Sequence, residues 1–432
     1  MYKSFVESDF PTRSYLEHSK QVAEVEAFRR TKDNKDAIDP SKHYGINSRS
    51  MFMDIPLCDV TKVFPQDLMH TTIEGTLSLE ICLLISHALE RGKISLPRIN
   101  ERIAKFSKKF GCNKPARIDK DHIDRRRLHQ TASETLSLAF MLPFVLRKKN
   151  MLTGKMESVC AEENLKCFIM RLELLDLQMS REITVTDVET IRAMTNEHHL
   201  MFQRLYPGEE IPKMHFETHY ASQILLFGPL RYHWCFRYES KHSYFKKLYR
   251  ALRSVKNLPR TLAENHQRHQ AALMMLSAKG LQGPFLRENN SFGASVEKLL
   301  KAVPVTHQEL LRGVFGGISS NTPIKVFKRC VIRGVKYTKG SAIISDFKET
   351  LPVFGEVVAF YRHDNQNAVV FKNMVTISYE AQLKAFKVGF VVGPFQLNVM
   401  KLSDFVYHHH LPFIKSVGAN YVSVQCKSFH RK

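Results

Sequence analysis

Three groups of side chains in this 432-residue sequence have the types and spacing to do chemistry. The first lies in Phe64-Pro65-Gln66-Asp67-Leu68-Met69-His70-Thr71-Thr72-Ile73-Glu74-Gly75, where an acid, an imidazole and a second acid are set at intervals of three and four. Asp is a preferred N-cap, and Leu77, Ile81, Leu84, Ile85 and Leu89 recur at helical spacing. Asp67 is therefore expected where a loop enters a helix, with His70 and Glu74 on one face beside it. Such a group can bind a divalent metal, or can simply cap and pair. The second group is His215, Glu217 and His219. Its order is not the His-Glu-x-x-His of zinc proteases, and no third ligand is apparent, so core histidines are the expectation. The third is a helix starting near Glu239. It carries Lys241, Lys246, Lys247, Arg250, Arg253 and Lys256 around an apolar side of Tyr244, Phe245, Leu248 and Leu252. A basic amphipathic helix can lie along phosphate, or can be an ordinary surface helix with snorkelling lysines.

The elements that must position these groups are mostly helical. Residues 1–43 are polar, with loop material at Asp33-Asn34-Lys35-Asp36 and Asp39-Pro40-Ser41; a helix is possible from Ser14 to Arg30, where Ser14 and Glu17 are spaced as a capping box. Met51 to Val63 suits a short buried strand or extended segment. The helix after His70 is expected to stop at Arg91-Gly92. Ser133 to Val145 reads as a buried helix and Leu165 to Met179 as another, and a further helix opens at Thr186 with Glu189 completing a capping box and closes at Pro207-Gly208. Residues 76–206 are thus expected to hold five or six helices and no strand pair. The Gly- and Ser-rich stretch 313–323 reads as a linker. Beyond it, Val326 to Ile332, Val335 to Lys339, Ser341 to Ser345, Gly355 to Tyr361, Ala368 to Lys372 and Gln396 to Met400 have strand grammar, so 324–432 is expected to be a separate basic all-β module, a barrel. The fold class is α+β, a mainly helical region at 44–312 with that module after it.

Charge narrows the partners. With 64 Lys and Arg against 42 Asp and Glu the net charge is +22, which attracts polyanions, above all nucleic acid. No run of 18 apolar residues and no signal peptide argue for a membrane, and no small-molecule substrate is expected. The eight cysteines, including Cys160 and Cys167 seven apart, form no Cys-x-x-Cys pair. Neither a zinc finger nor a disulfide framework is indicated, and the expected compartment is reducing, nucleus or cytosol.

Taken in order, Tyr44-Gly45-Ile46-Asn47 with Arg49-Ser50, Pro65-Gln66-Asp67-Leu68-Met69-His70 with Glu74-Gly75, Met214-His215 with His219-Tyr220, Phe227-Gly228-Pro229, and Trp234 with Glu239 resemble DDE-type cut-and-paste transposases, in the form seen in animal relatives of the CACTA (En/Spm) group. The resemblance implies a ribonuclease-H-like core in which Asp67 is the second catalytic carboxylate and Glu239 the third. His70 would stand behind Asp67, and the helical stretch about 76–206 would be an insertion between the two acids. Two Mg²⁺ ions held by three carboxylates would cut phosphodiesters in DNA. The sequence departs from that pattern ahead of Asp67: Asp33, Asp36, Asp39 and Asp54 are available, but none sits in an apolar strand. A first acid and most of the sheet are not found, so the expectation is a truncated or domesticated transposase that binds nucleic acid without transposing it. A nuclease or strand transferase working through Asp67 and Glu239, and a scaffold that docks a protein partner, are the alternatives.

Overall fold

The computed structural model describes residues 4–30, 39–110, 114–150, 156–252, 256–278, 291–332, 335–349, 351–393, 396–405, 411–416 and 419–423. At 51% helix and 22% strand, with a helical region ahead of a C-terminal sheet module, the fold is α+β. Among the expected loops, Asp33 and Asp36 lie outside the described residues, as does Arg253 of the basic helix.

The chain forms two compact units, and their boundaries are not the expected ones. One unit takes Met1–Thr76 and Leu177–Trp234; the other takes Leu77–Asp176 and Cys235–Lys432. The helical stretch therefore belongs in large part with the β module, and does not form a continuous block over 44–312.

The first unit contains no strand among its described residues. Its helices are Tyr15–Arg30, Pro40–Tyr44, Val185–Leu205, Pro212–Glu217 and Tyr220–Phe227, with the turn Met69–Thr76 among them. Helix starts here have a chemical cause. Ser14 Oγ accepts from the Glu17 N–H, and Asp39 Oδ1 accepts from the Ser41 N–H ahead of Pro40. At the longest helix the capping box is Thr184 with Asp187, two residues before the expected Thr186–Glu189 pair. The expected strand over Met51 to Val63 is instead a 3₁₀ turn, Met51–Asp54, opened by Ser50, and Met51, Ile55, Leu57 and Phe64 stand exposed. An apolar run with Pro56 inside it and nothing to pair with makes turns.

In the second unit six strands close on themselves. Ala342–Lys348, Leu351–His363, Gln366–Glu380, Ala385–Phe390, Ala419–Ser423 and Phe413–Ser416 pair in that order, all antiparallel. A bridge between Ala342 and Leu411 joins the two ends. Ile344, Phe354, Met374, Phe386, Val388, Phe413 and Val422 fill the interior, so the expected barrel is present. The module begins earlier than 324. Ser295–Leu299 pairs with Pro323–Phe327, and the Val305–Phe315 helix buries Leu311 and Phe315 against Tyr361, Ala368 and Val370. The expected linker 313–323 is thus the end of that helix, capped by Gly316 at φ +80°, and the turn back into the sheet.

The helices Leu77–Glu90, Leu96–Phe110, Lys120–Asp124, Ala132–Val145 and Glu162–Gln178 belong largely to the same unit, as does a short antiparallel pair, Arg147–Lys149 with Met156–Ser158, that the sequence did not suggest. Ala132–Val145 is apolar all round and buries eleven of its fourteen residues, which requires cover on every side. The Phe144 ring meets Tyr421 of the barrel edge-on at 6.0 Å. Cys160 and Cys167 are buried free thiols. Among the described residues one helix, Met69–Glu90, is long and apolar enough to cross a bilayer, and 78% of its apolar 18-residue stretch is buried within the protein, as in a core helix.

Two buried ion pairs hold this unit. Arg171 Nε donates to Glu80 Oε2 at 3.0 Å with both side chains almost fully enclosed. Lys384, at φ +49° between two barrel strands, bonds Asp176 and the Leu172 carbonyl near the end of the Glu162–Gln178 helix. Burial pushes the Asp176 carboxyl up to about 6, although Lys384 pulls it down. Replacing Lys384 by Met leaves that acid enclosed without its cation, which costs about 3–5 kcal/mol at pH 7. An acid whose folded pKa exceeds its unfolded value stabilises the fold below the unfolded pKa, and that contribution is lost as pH rises through the folded one. The penalty of Lys384→Met is therefore expected to shrink as pH falls from 7 to 5, measured by denaturant unfolding at each pH. A penalty that stays constant or grows contradicts this account of the pair.

Candidate acid–histidine site

Asp67 does what its place in the sequence suggests. Its Oδ2 accepts the backbone N–H of His70 at 2.9 Å, the N-cap bond to the third helical residue, and lies 2.6 Å from His70 Nδ1. One carboxylate oxygen thus receives both the backbone and the ring of the same histidine. The Asp67 side chain is 17% exposed and that of His70 46%, so the pair lies at the surface with its acid mostly covered.

The winding of the chain just past Asp67 departs from expectation. Met69–Thr76 is a π-helix, wound more widely than the α-helix that continues from Leu77. Thr72 and Thr76 both donate hydroxyl hydrogen bonds to Glu217 Oε1, at 2.9 and 2.5 Å. Glu217 is completely enclosed, with His199 Nε2 3.3 Å from its second oxygen. The Tyr220 hydroxyl, 3.1 Å from Thr72 Oγ1, has its pKa raised by burial and by the Glu217 charge. A buried carboxylate demands donors, and the π-turn brings two hydroxyls four residues apart onto one of its oxygens. Lys213 holds the outer side of the same turn by donating to the His70 carbonyl at 2.6 Å. Gly75 makes room for it, since a Cβ there would stand 2.5 Å from Lys213 Cδ.

His215 and His219 are linked to each other, with their Nε2 atoms 3.4 Å apart. His219 Nδ1 is 2.9 Å from Glu7 Oε1; Ser222 and Arg192 bind the other Glu7 oxygen. Burial would raise the Glu7 carboxyl, but the hydrogen bonds from Ser222 and His219 and the nearby positive charges bring it below the ordinary carboxylate range. Burial and the neighbouring His219 depress His215. The Phe10 ring closes over His215 at 4.4 Å.

Glu239 and the basic residues are assigned to the second unit. The helix containing them starts three residues earlier than expected and runs Phe236–Ala251, in the unit that contains the barrel, whereas Asp67 belongs to the other unit. Glu239, Lys246, Lys247 and Arg250 are exposed, and Lys241 sits over the Tyr244 ring at 5.4 Å. Tyr244 stacks on His269, and Phe245 meets His266, both on the Leu258–Ala278 helix. The two helices make a hairpin held by rings, and the first has no buried residue.

Mg²⁺ takes several hard oxygens in octahedral geometry. Within its own unit Asp67 is joined by an imidazole nitrogen already bonded to it, and that donor set does not fit Mg²⁺. Acids ahead of Asp67 are committed too: Asp39 to Ser41, Asp54 to Arg49, Asp59 to Thr61 and Lys62, and Glu7 to the histidine chain. Sequence reading missed Glu217 as an organising group. The available signal was the Thr72–Thr76 pair at i,i+4 on an otherwise apolar helix, where two hydroxyls need an acceptor. Comparison with protein-family models, with curated proteins and with solved structures finds no match to this chain.

Two substitutions separate the two sides of the π-turn. Glu217→Ala takes the acceptor from Thr72, Thr76 and His199 in the core and is expected to cost about 3–5 kcal/mol. Gly75→Ala displaces the flexible Lys213 chain and crowds the His70 carbonyl at 3.1 Å, and is expected to cost about 1 kcal/mol. Denaturant unfolding measures both; a Gly75→Ala penalty equal to that of Glu217→Ala contradicts the assignment of the buried carboxylate as the main support.

Proposed function

We propose that this chain is a transposon-derived protein of the CACTA-like kind, catalytically incomplete, that acts in the nucleus by binding DNA. The observation that carries the binding half is the hairpin of Phe236–Ala251 and Leu258–Ala278. The helices Phe236–Ala251 and Leu258–Ala278 hold seven Lys and Arg against two acids, and the first has no fully buried residue. A helix with that balance and no core to cover is suited to a row of phosphates. The β module adds to the field, with sixteen Lys and Arg against six acids over 324–432.

The incomplete half rests on the acids. Asp67 caps and pairs with His70, and the described acids ahead of it stand on loops and helices with partners of their own. That arrangement supports a protein which keeps the acid-x-x-His stretch as structure. Mg²⁺ belongs, on this reading, to the ancestral chemistry.

Fluorescence anisotropy on a short labelled duplex, titrated at several salt concentrations, tests the proposal. The logarithm of affinity is expected to fall linearly with the logarithm of salt, and Lys246→Ala/Lys247→Ala/Arg250→Ala is expected to make that slope shallower by roughly 2–3. No binding at low salt, or binding that salt leaves unchanged, overturns the proposal and favours a protein-docking scaffold.

A further inference from the structure

The outward side of the Phe236–Ala251 helix carries more than charge. At 3.6 residues per turn, Tyr238, His242, Lys246, Tyr249 and Arg250 fall on one arc of about 120°. Tyr238 is 64% exposed and Tyr249 48%, and neither side chain has a ring or hydrogen-bond partner among the described residues. The inward rings differ: Tyr244 and Phe245 pack on His269 and His266. The two free tyrosines are eleven residues apart, about 16 Å along the axis, with cations between and beside them.

A row of duplex phosphates needs donors and positive charge, and exposed rings add nothing to it. Unstacked bases present π-faces, and proteins that take single strands combine a basic track with aromatic platforms. We propose that this arc binds single-stranded nucleic acid, with bases on the Tyr238 and Tyr249 rings and backbone on Lys246 and Arg250. Glu239, the one acid of this helix, falls about a quarter turn round the arc from Tyr238 but at the same end of the axis, so the phosphate path runs toward the Lys246–Arg250 end. This inference rests on the nucleic-acid reading above and deepens it by naming the form of the ligand.

The test is anisotropy of the full chain with a labelled oligothymidylate and with a labelled duplex of equal length. The variants are Tyr238→Ala/Tyr249→Ala and Lys246→Ala/Arg250→Ala. All four positions are exposed, and circular dichroism checks that each variant keeps its helix content. The tyrosine variant is expected to weaken oligothymidylate binding about tenfold or more while leaving the duplex within about twofold, and the cation variant to weaken both. A tyrosine variant that binds oligothymidylate like the parent, or that loses both ligands equally, overturns the inference. So does a parent protein that binds duplex and not oligothymidylate. A parent that binds neither overturns the nucleic-acid reading itself.

Discussion

The enclosed Glu217 carboxylate is the constraint on which the first unit depends. A negative charge out of reach of water must find donors, and here they are the Thr72 and Thr76 hydroxyls with His199 beside them. Meeting both hydroxyls holds Met69–Thr76 as a π-turn. That turn fixes where the chain enters from Asp67, and hence how the Asp67–His70 pair is presented at the surface. Lys213 on the outer side acts on the same turn, through a contact that Gly75 alone admits. Three parts of the chain, around Thr72, His199 and Glu217, are thereby tied by one buried group.

In the second unit ion pairs play the corresponding part. Glu80 with Arg171 joins two helices, and Asp176 with Lys384 joins a helix to the barrel. Such pairs add little net stability against apolar replacements of the same shape, but breaking one is expensive. They explain why the helices over Leu77–Asp176 fold with the β strands despite the long stretch of chain between Asp176 and Lys384. The basic hairpin is different in kind. Its helices meet through rings, and Lys246, Lys247 and Arg250 stand exposed on the first of them.

Much of this was legible in the residues. Caps at Ser14 and Asp67, the stop at Gly92, the buried helix before Val145 and the strand grammar beyond 324 all come from local chemistry, and the structure has them. The Asp67–His70 contact was legible too, because three residues of helix bring a cap and a ring together. Long-range support could not be read in the same way. A π-turn is stabilised by an acid 141 residues away from Thr76, and nothing in Met69–Thr76 itself announces it. The 313–323 stretch looks like a linker by composition, yet its helix end is buried by strands that follow it in sequence. Met51 to Val63 failed as a strand because alternation and apolarity do not supply a partner to pair with.

Asp67 is retained, on this reading, as a cap and a histidine partner, without service in phosphodiester cleavage. The most direct measurement is incubation of the full chain with supercoiled plasmid in Mg²⁺ and, separately, in Mn²⁺, at salt low enough for binding. The expected result is plasmid that is retarded by the protein and, once the protein is removed, still supercoiled. Nicked circles that appear with metal and vanish in both Asp67→Ala and Glu239→Ala would contradict it, because they would require those two acids to share an ion in a working site.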